Sequence, residues 1–289
     1  MSKILLATHG GAGADGAVRV ASLLAPRVGA ELEALVVLEP MPVVDYGFGV
    51  VASCSAEEEE AIDAQLVADA SAQLARCDAG GGALRSCFGL PADEIAGAAR
   101  ASDAETIVVG LGPHGAVARA LGQETALQLV QIASTPILAV PADATELPHR
   151  VVAAVDFTPT SIRAANTAAR WLVAGDVLHL VHVRSGHHAA RAGADLPFTD
   201  QEDGARLEAL AHEITVGRGV RVETAVVDGE PAPALLHFAT RHDADLIALG
   251  SHGYGMWKRL TLGSVASKIV RLTTKSVLVV PIRCLPANG

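Results

Sequence analysis

The sequence predicts an α/β protein made of two tandem copies of one domain, each an open five-stranded parallel sheet with helices on both faces. Three observations lead there. Short apolar runs alternate with stretches of helical periodicity, which is the pattern of βαβ units. The chain also repeats itself at a fixed offset: Ala104–Gly110 aligns with Ala244–Gly250, Thr135–Pro141 with Lys275–Pro281, and Gly89-Leu90-Pro91 with Gly229-Glu230-Pro231. Finally, half of the 289 residues are hydrophobic but only 3% are aromatic. The core must then be Ala, Val, Leu and Ile, which suits helices packed on parallel strands buried on both faces.

In the first copy the apolar runs place strands at 3–8, 31–38, 82–88, 105–109 and 136–140, with helices at 14–28, 56–77, 91–101 and 119–132. The run Glu57-Glu58-Glu59-Glu60 marks the start of an exposed helix, where acids favour the positive end of the dipole. Gly10-Gly11-Ala12-Gly13 reads as a turn, because it lacks the Gly-Lys-[Ser/Thr] ending of a phosphate loop. A polar, proline-bearing stretch, Ala142–His149, then breaks the periodicity. It divides the chain into a first domain at 1–142, a linker at 143–149 and a second domain at 150–289.

The second copy opens with Arg150–Ala154, which resembles Lys3–Ala7. Its strands fall at 150–155, 176–183, 220–227, 245–249 and 276–280, and its helices at 159–173, 201–217, 231–242 and 264–273. Thr158-Pro159 supplies a capping hydroxyl followed by proline at the first helical position. In the last helix Val265, Ala266, Ile269, Val270 and Leu272 share one face, with Ser264 expected as the N-cap.

Bulk properties exclude several classes of function. A formal charge of −10 and a pI near 5.5 argue against a nucleic-acid partner, which needs clustered positive charge. Cys54, Cys77, Cys87 and Cys284 lack C-x-x-C spacing, so neither a zinc site nor a disulfide framework is indicated. The opening Ile4–Ala7 run is too short for a signal peptide, and no apolar run reaches the roughly 18 residues of a membrane span. A cytoplasmic protein without a membrane partner is expected. His179 and His182, three apart on a strand, point to opposite faces and do not form a metal site, and His187 and His188 read as ordinary surface or packed histidines.

The stretch GSHGYGMWKRLTLGS at 250–264 carries the functional signal. It follows the buried run Asp245–Leu249 and precedes a helix, whose first N–H groups and dipole attract anions. Gly250, Gly253 and Gly263 let a phosphate approach the backbone, and the Ser264 hydroxyl adds a donor. Lys258 and Arg259 either reach the phosphates or solvate the loop. Asp156 ends the first strand of this copy, Val183 the second, and the loop follows the fourth, so all three meet beyond the carboxyl ends of the strands.

The spacing Gly-2x-Gly-9x-Gly-[Ser/Thr] resembles the nucleotide motif of the ATP-binding branch of the universal stress protein family, and with the repeat the resemblance covers nearly the whole chain. It implies Rossmann-like domains of the adenine nucleotide alpha hydrolase-like type and ATP as ligand, with or without Mg2+. By position it implies that Ala154, Val155 and Asp156 contact the nucleoside and that the backbone of Val183 recognises the adenine edge. Leu249, Gly250, His252 and Gly253 would surround the ribose and phosphates, and Gly263, Ser264, Val265 and Ala266 would hold the phosphate chain. In the first copy His9 replaces the aspartate, Gly112-Pro113 replaces His252-Gly253, and Gln123-Glu124 stands at Gly263-Ser264, so no ATP is expected there.

The motif supplies binding groups but no clear base for water, so the expectation is a stress-response sensor or regulator with slow hydrolysis at most. The resemblance further implies pairing of the two copies through 136–141 and 276–281, a homodimer beyond that intrachain pseudo-dimer, and a regulatory protein partner. An interaction scaffold without an ATP requirement, or a binder of AMP or cyclic AMP, is the alternative.

Overall fold

The computed structural model describes residues 2–39, 56–79, 82–111, 119–184, 200–215, 219–251 and 263–282. In the N-terminal half, β1 (Lys3–Thr8) leads through a 3-10 turn (Ala12–Ala14) into α1 (Asp15–Val28). Next come β2 (Glu31–Leu38), α2 (Ala56–Arg76), β3 (Ala83–Phe88), α3 (Pro91–Ala101), β4 (Ala104–Leu111), α4 (Arg119–Ile132) and β5 (Ile137–Pro141). The C-terminal half repeats the order as β6 (Arg150–Ala154), α5 (Pro159–Ala169), β7 (Val177–Arg184), α6 (Asp200–Thr215), β8 (Arg221–Asp228), α7 (Pro231–Arg241), β9 (Leu246–Gly250), α8 (Ser264–Leu272) and β10 (Ser276–Val280).

The ten strands form one sheet in the order β3-β2-β1-β4-β5-β10-β9-β6-β7-β8. Within each half every described pairing is parallel, and the halves meet at an antiparallel joint. There Val277 pairs with Ala139, Leu278 with Leu138 and Val279 with Ile137. The expected five-stranded parallel sheets are therefore present as the two wings of a single sheet.

Strand side chains alternate strictly between its two faces. Ile4, Leu6, Val108, Leu138, Val151, Ala153, Leu178 and Leu180 pack under α1, α2, α5 and α6. Leu5, Ala7, Ile107, Val109, Val152, Val181 and Leu249 pack under α3, α4, α7 and α8. Covering both faces explains why the strands read as continuous apolar runs. β3 lies at one end of the sheet, and its burial drops accordingly.

Many expected boundaries shift by one or two residues, and the largest shift is in α5. It ends at Ala169 rather than 173, because Arg170 and Trp171 donate to carbonyls three residues back and tighten the last turn. The Asp176 carboxylate then accepts the Val173 N–H at 2.8 Å and fixes the exit. Among the described residues no helix is long and apolar enough to cross a membrane.

Candidate functional site

From β6 the chain steps outward to β7 and β8, then returns to place β9 and β10 on the other side of β6. The order reverses between β6 and β9, and such a reversal opens a crevice at the carboxyl edge of the sheet. Ala154 ends β6, with Val155 and Asp156 directly after it; Val183 is the penultimate residue of β7; Leu249 and Gly250 end β9. These residues share one edge.

A compact polar turn sits on this edge. Asp156 Oδ1 accepts the Thr158 N–H at 3.1 Å and the Thr158 hydroxyl at 2.5 Å. Thr158 is the N-cap of α5, its Oγ1 accepting the Ser161 N–H at 3.3 Å with Pro159 at the first helical position, as the dipeptide predicts. Between them Phe157 takes a left-handed conformation, φ +61°. Its repeat counterpart is Gly10, φ +77°, so the turn demands this geometry in both halves.

Gly250 is fixed by close approach. A Cβ there would lie 2.6 Å from Thr160 Oγ1 and 3.0 Å from the Ser161 nitrogen, so the start of α5 rests on bare backbone. Ser251, buried to 1% exposure, donates its N–H to Val280 and accepts the Gly263 N–H on its carbonyl at 3.0 Å, while its hydroxyl oxygen accepts the Ile282 N–H at 3.1 Å. The loop thus leaves β9 and returns to α8 within one hydrogen bond. His252 and Gly253, together with Lys258 and Arg259, lie outside the described residues.

The start of α8 differs from expectation. Gly263, with φ −56° and ψ 136°, is the N-cap, and its carbonyl accepts the Ser267 N–H at 3.0 Å and the Ser267 hydroxyl at 2.9 Å. Ser264 is the first helical residue, and its exposed hydroxyl makes no capping bond. Ser264 therefore sits one position inside the cap site, and no side chain caps the first N–H groups of α8. Ala266 is buried and Val265 half-buried.

Sequence reasoning missed a cluster beside this edge. His182 Nδ1 lies 2.7 Å from the Val155 carbonyl, its ring packs on Phe157 with centroids 5.0 Å apart, and its Nε2 is 3.8 Å from Asp203 Oδ2. The Arg206 guanidinium lies over the Phe157 ring, 3.7 Å from its centroid. His179 indeed faces the opposite side, with its Nδ1 3.2 Å from Glu223 and its ring beside Phe238 and His242. Burial pushes the His179 imidazole below its ordinary pKa, against the pull of Glu223. No group of three potential metal ligands occurs among the described residues. Cys77 and Cys87 are free thiols, raised in pKa mainly by burial, and Cys54 and Cys284 lie outside the described residues.

The matching edge of the N-terminal half is filled differently. Gln73, with no exposed surface, accepts the Thr8 hydroxyl at 2.5 Å and donates to the Gly11 carbonyl at 2.7 Å and to Asp15 Oδ1 at 2.8 Å. Burial raises the Asp15 pKa, but hydrogen bonds from Gln73 and Arg76 outweigh it and hold the carboxyl below its usual range. A Cβ on Gly10 would meet Asp69 and Ala70 of α2 at 2.8–2.9 Å, so the turn is clamped against that helix. Glu124, the counterpart of Ser264, lies inside α4 rather than at its start. Gly112 and Pro113 lie outside the described residues. Elsewhere, a cavity of 590 Å³ at the amino edge is lined by Arg100 and Arg163 but also by Asp103 and Glu105, so it offers no single sign of charge.

The geometry defines a tandem α/β protein with two Rossmann-like halves, of which the C-terminal one keeps a glycine loop at its strand-order reversal. The sequence model of the universal stress protein family matches residues 1–141 and 148–281. The chain belongs to that family. It is similar to universal stress protein YxiE of Bacillus subtilis, 36% identical over 80 residues, which is 28% of this chain and 54% of the relative. A universal stress protein of Mycolicibacterium smegmatis is 31% identical over 194 residues, 61% of this chain and 62% of that one. The chain thus spans a little over half the length of these relatives. In fold it resembles a universal stress protein from Archaeoglobus fulgidus, with a TM-score of 0.71 at 20% identity over 96% of this chain and 98% of the other.

Proposed function

We propose that this protein binds ATP at a single site in the C-terminal half and acts as a stress-response sensor or regulator. The observation that carries the reading is the closure of the glycine loop by the Gly263–Ser251 hydrogen bond, which sets the start of α8 on the same edge as Asp156 and Val183. Anion affinity of a helix start and the absence of a Cβ at Gly263 suit a phosphate chain. In this reading Ala154, Val155 and Asp156 contact the nucleoside and the Val183 backbone meets the adenine edge. Leu249, Gly250, His252 and Gly253 surround the ribose and phosphates, while Ser264, Val265 and Ala266 join Gly263 around the phosphates. Bound ATP orders the 250–263 loop and biases a contact between domains or subunits. The functional units are 1–142 and 150–289, joined by 143–149, and the chain forms a homodimer in the cytoplasm.

Calorimetric titration of nucleotide-stripped protein with ATP and Mg2+ tests this, repeated on Gly263→Glu and with AMP and cyclic AMP as competitors. One ATP per chain, lost in the variant, supports the reading; tighter AMP or cyclic AMP binding changes the ligand. No binding of any nucleotide overturns it in favour of an interaction scaffold. That second reading draws on the β5–β10 joint, which fixes the halves as a pseudo-dimer whatever the crevice holds.

A further inference from the structure

We infer that His182 is a positioning residue: its imidazole takes the Val155 carbonyl and thereby leaves the Val183 N–H open at the carboxyl edge. The regular rungs between β6 and β7 run from the Val177 N–H to the His149 carbonyl at 2.9 Å and from the Val155 N–H to the Val181 carbonyl at 2.8 Å. In a parallel ladder every second residue of a strand faces the same neighbour. The next rung would bring the Val183 N–H to the Val155 carbonyl. Residue pairing stops at Ala154 and Val181, however, and the carbonyl that the rung would use is held by His182 Nδ1 at 2.7 Å. A carbonyl oxygen only accepts, so Nδ1 carries the hydrogen.

The ring is held from three sides. Phe157 packs against it, Asp203 stands 3.8 Å from Nε2, and Val155 anchors Nδ1. Its side chain retains 17% exposure and that of Asp203 11%, so both belong to the wall of the crevice rather than to free surface. Beyond Val155 the chain turns through the left-handed Phe157 and leaves β7, so β6 offers the Val183 backbone no further partner strand. A strand that ends with an N–H and a carbonyl facing outward presents a donor beside an acceptor. Adenine offers the complement on its Watson–Crick edge, whereas guanine offers a donor where the N–H points.

The use of this N–H for a base rests on the ATP reading above, but its availability does not. The test is amide hydrogen exchange at Val183 in the full-length, nucleotide-free protein, together with ATP affinity, for wild type, His182→Ala, His182→Asn and His182→Gln. Asparagine places its amide N–H where Nδ1 stands, and glutamine reaches the Nε2 position instead. The inference expects fast exchange at Val183 and slow exchange at Val181 in wild type. In His182→Ala, Val183 becomes protected as the rung closes, and ATP affinity falls at least about tenfold, the equivalent of one hydrogen bond. Asparagine restores both properties and glutamine neither. Protection of Val183 in wild type equal to that of Val181 overturns the inference, as does an exchange rate in His182→Asn that matches His182→Ala. If wild type exchanges as expected but binds no nucleotide, the ATP reading falls while the role of the imidazole stands.

Discussion

Leu138 in β5 and Leu278 in β10 face each other across the antiparallel joint of the sheet, and each is the counterpart of the other in the internal repeat. Their neighbours obey the same rule, since Ala139–Val277 and Ile137–Val279 exchange roles under it. A pseudo-two-fold axis therefore passes between the two leucines, and the halves meet as an isologous pair does. Both leucines have about 1% exposure or less and share one core with α1 and α5.

Leu278→Ala should cost about 2–5 kcal/mol, the usual range for a fully buried leucine. Equilibrium urea unfolding measures it. Because the joint places residues of both halves in one core, circular dichroism and fluorescence of the buried Trp171 should report one coincident transition in wild type.

Gly250→Ala forces a methyl to within 2.6 Å of Thr160 Oγ1 and 3.0 Å of the α5 backbone. The expected loss is about 1–3 kcal/mol, as for other overpacked sites. Under the ATP reading, thermal melts with and without ATP should also show the nucleotide-induced rise vanish in the variant.

Phe157 bears two opposed effects, a left-handed backbone and a ring in contact with both Arg206 and His182. Phe157→Ala loses the ring and keeps the strain, whereas Phe157→Gly loses both. The glycine variant should be more stable than the alanine variant by about 1 kcal/mol, read from their urea midpoints.

Stability should depend on pH through His179, whose imidazole is lowered mainly by burial, with Glu223 opposing and His242, Arg221 and Arg150 adding to the shift. The unfolded chain then binds the proton more tightly than the folded one. The contribution of His179 is fully present above its unfolded value of about 6.5 and is lost as pH falls through the lower folded value. Urea midpoints taken from pH 7.5 down to 5 should decline, and His179→Gln should flatten that decline.

Gln73→Leu takes the acceptor from the buried Thr8 hydroxyl, at about 1–3 kcal/mol, while the Gly11 carbonyl loses one donor and keeps the Ala14 N–H. The site at the other end of the sheet shares none of these groups, so ATP stoichiometry should stay that of the parent. Chemical denaturation and calorimetry on one preparation give both readings.

What the sequence by itself determined was local. The alternation of strands and helices, the offset between the repeats, the Thr158-Pro159 start of α5 and the opposite facing of His179 and His182 follow from periods of 2.0 and 3.6 and from turn chemistry within a few residues. The strand that ends at Gly250 and the helix that starts at Ser264 were legible for the same reason. Tertiary structure decided the rest, because those contacts join groups far apart in the chain. It fused two sheets into one by pairing β5 with β10, made Gly263 the cap of α8 through its ladder and its bond to Ser251, and brought Gln73 under the first turn. It also set the imidazole of His182 on the carbonyl of Val155, 27 residues away. Nothing in the neighbourhood of either residue encodes that bond; it exists because parallel register places the end of β7 beside the end of β6.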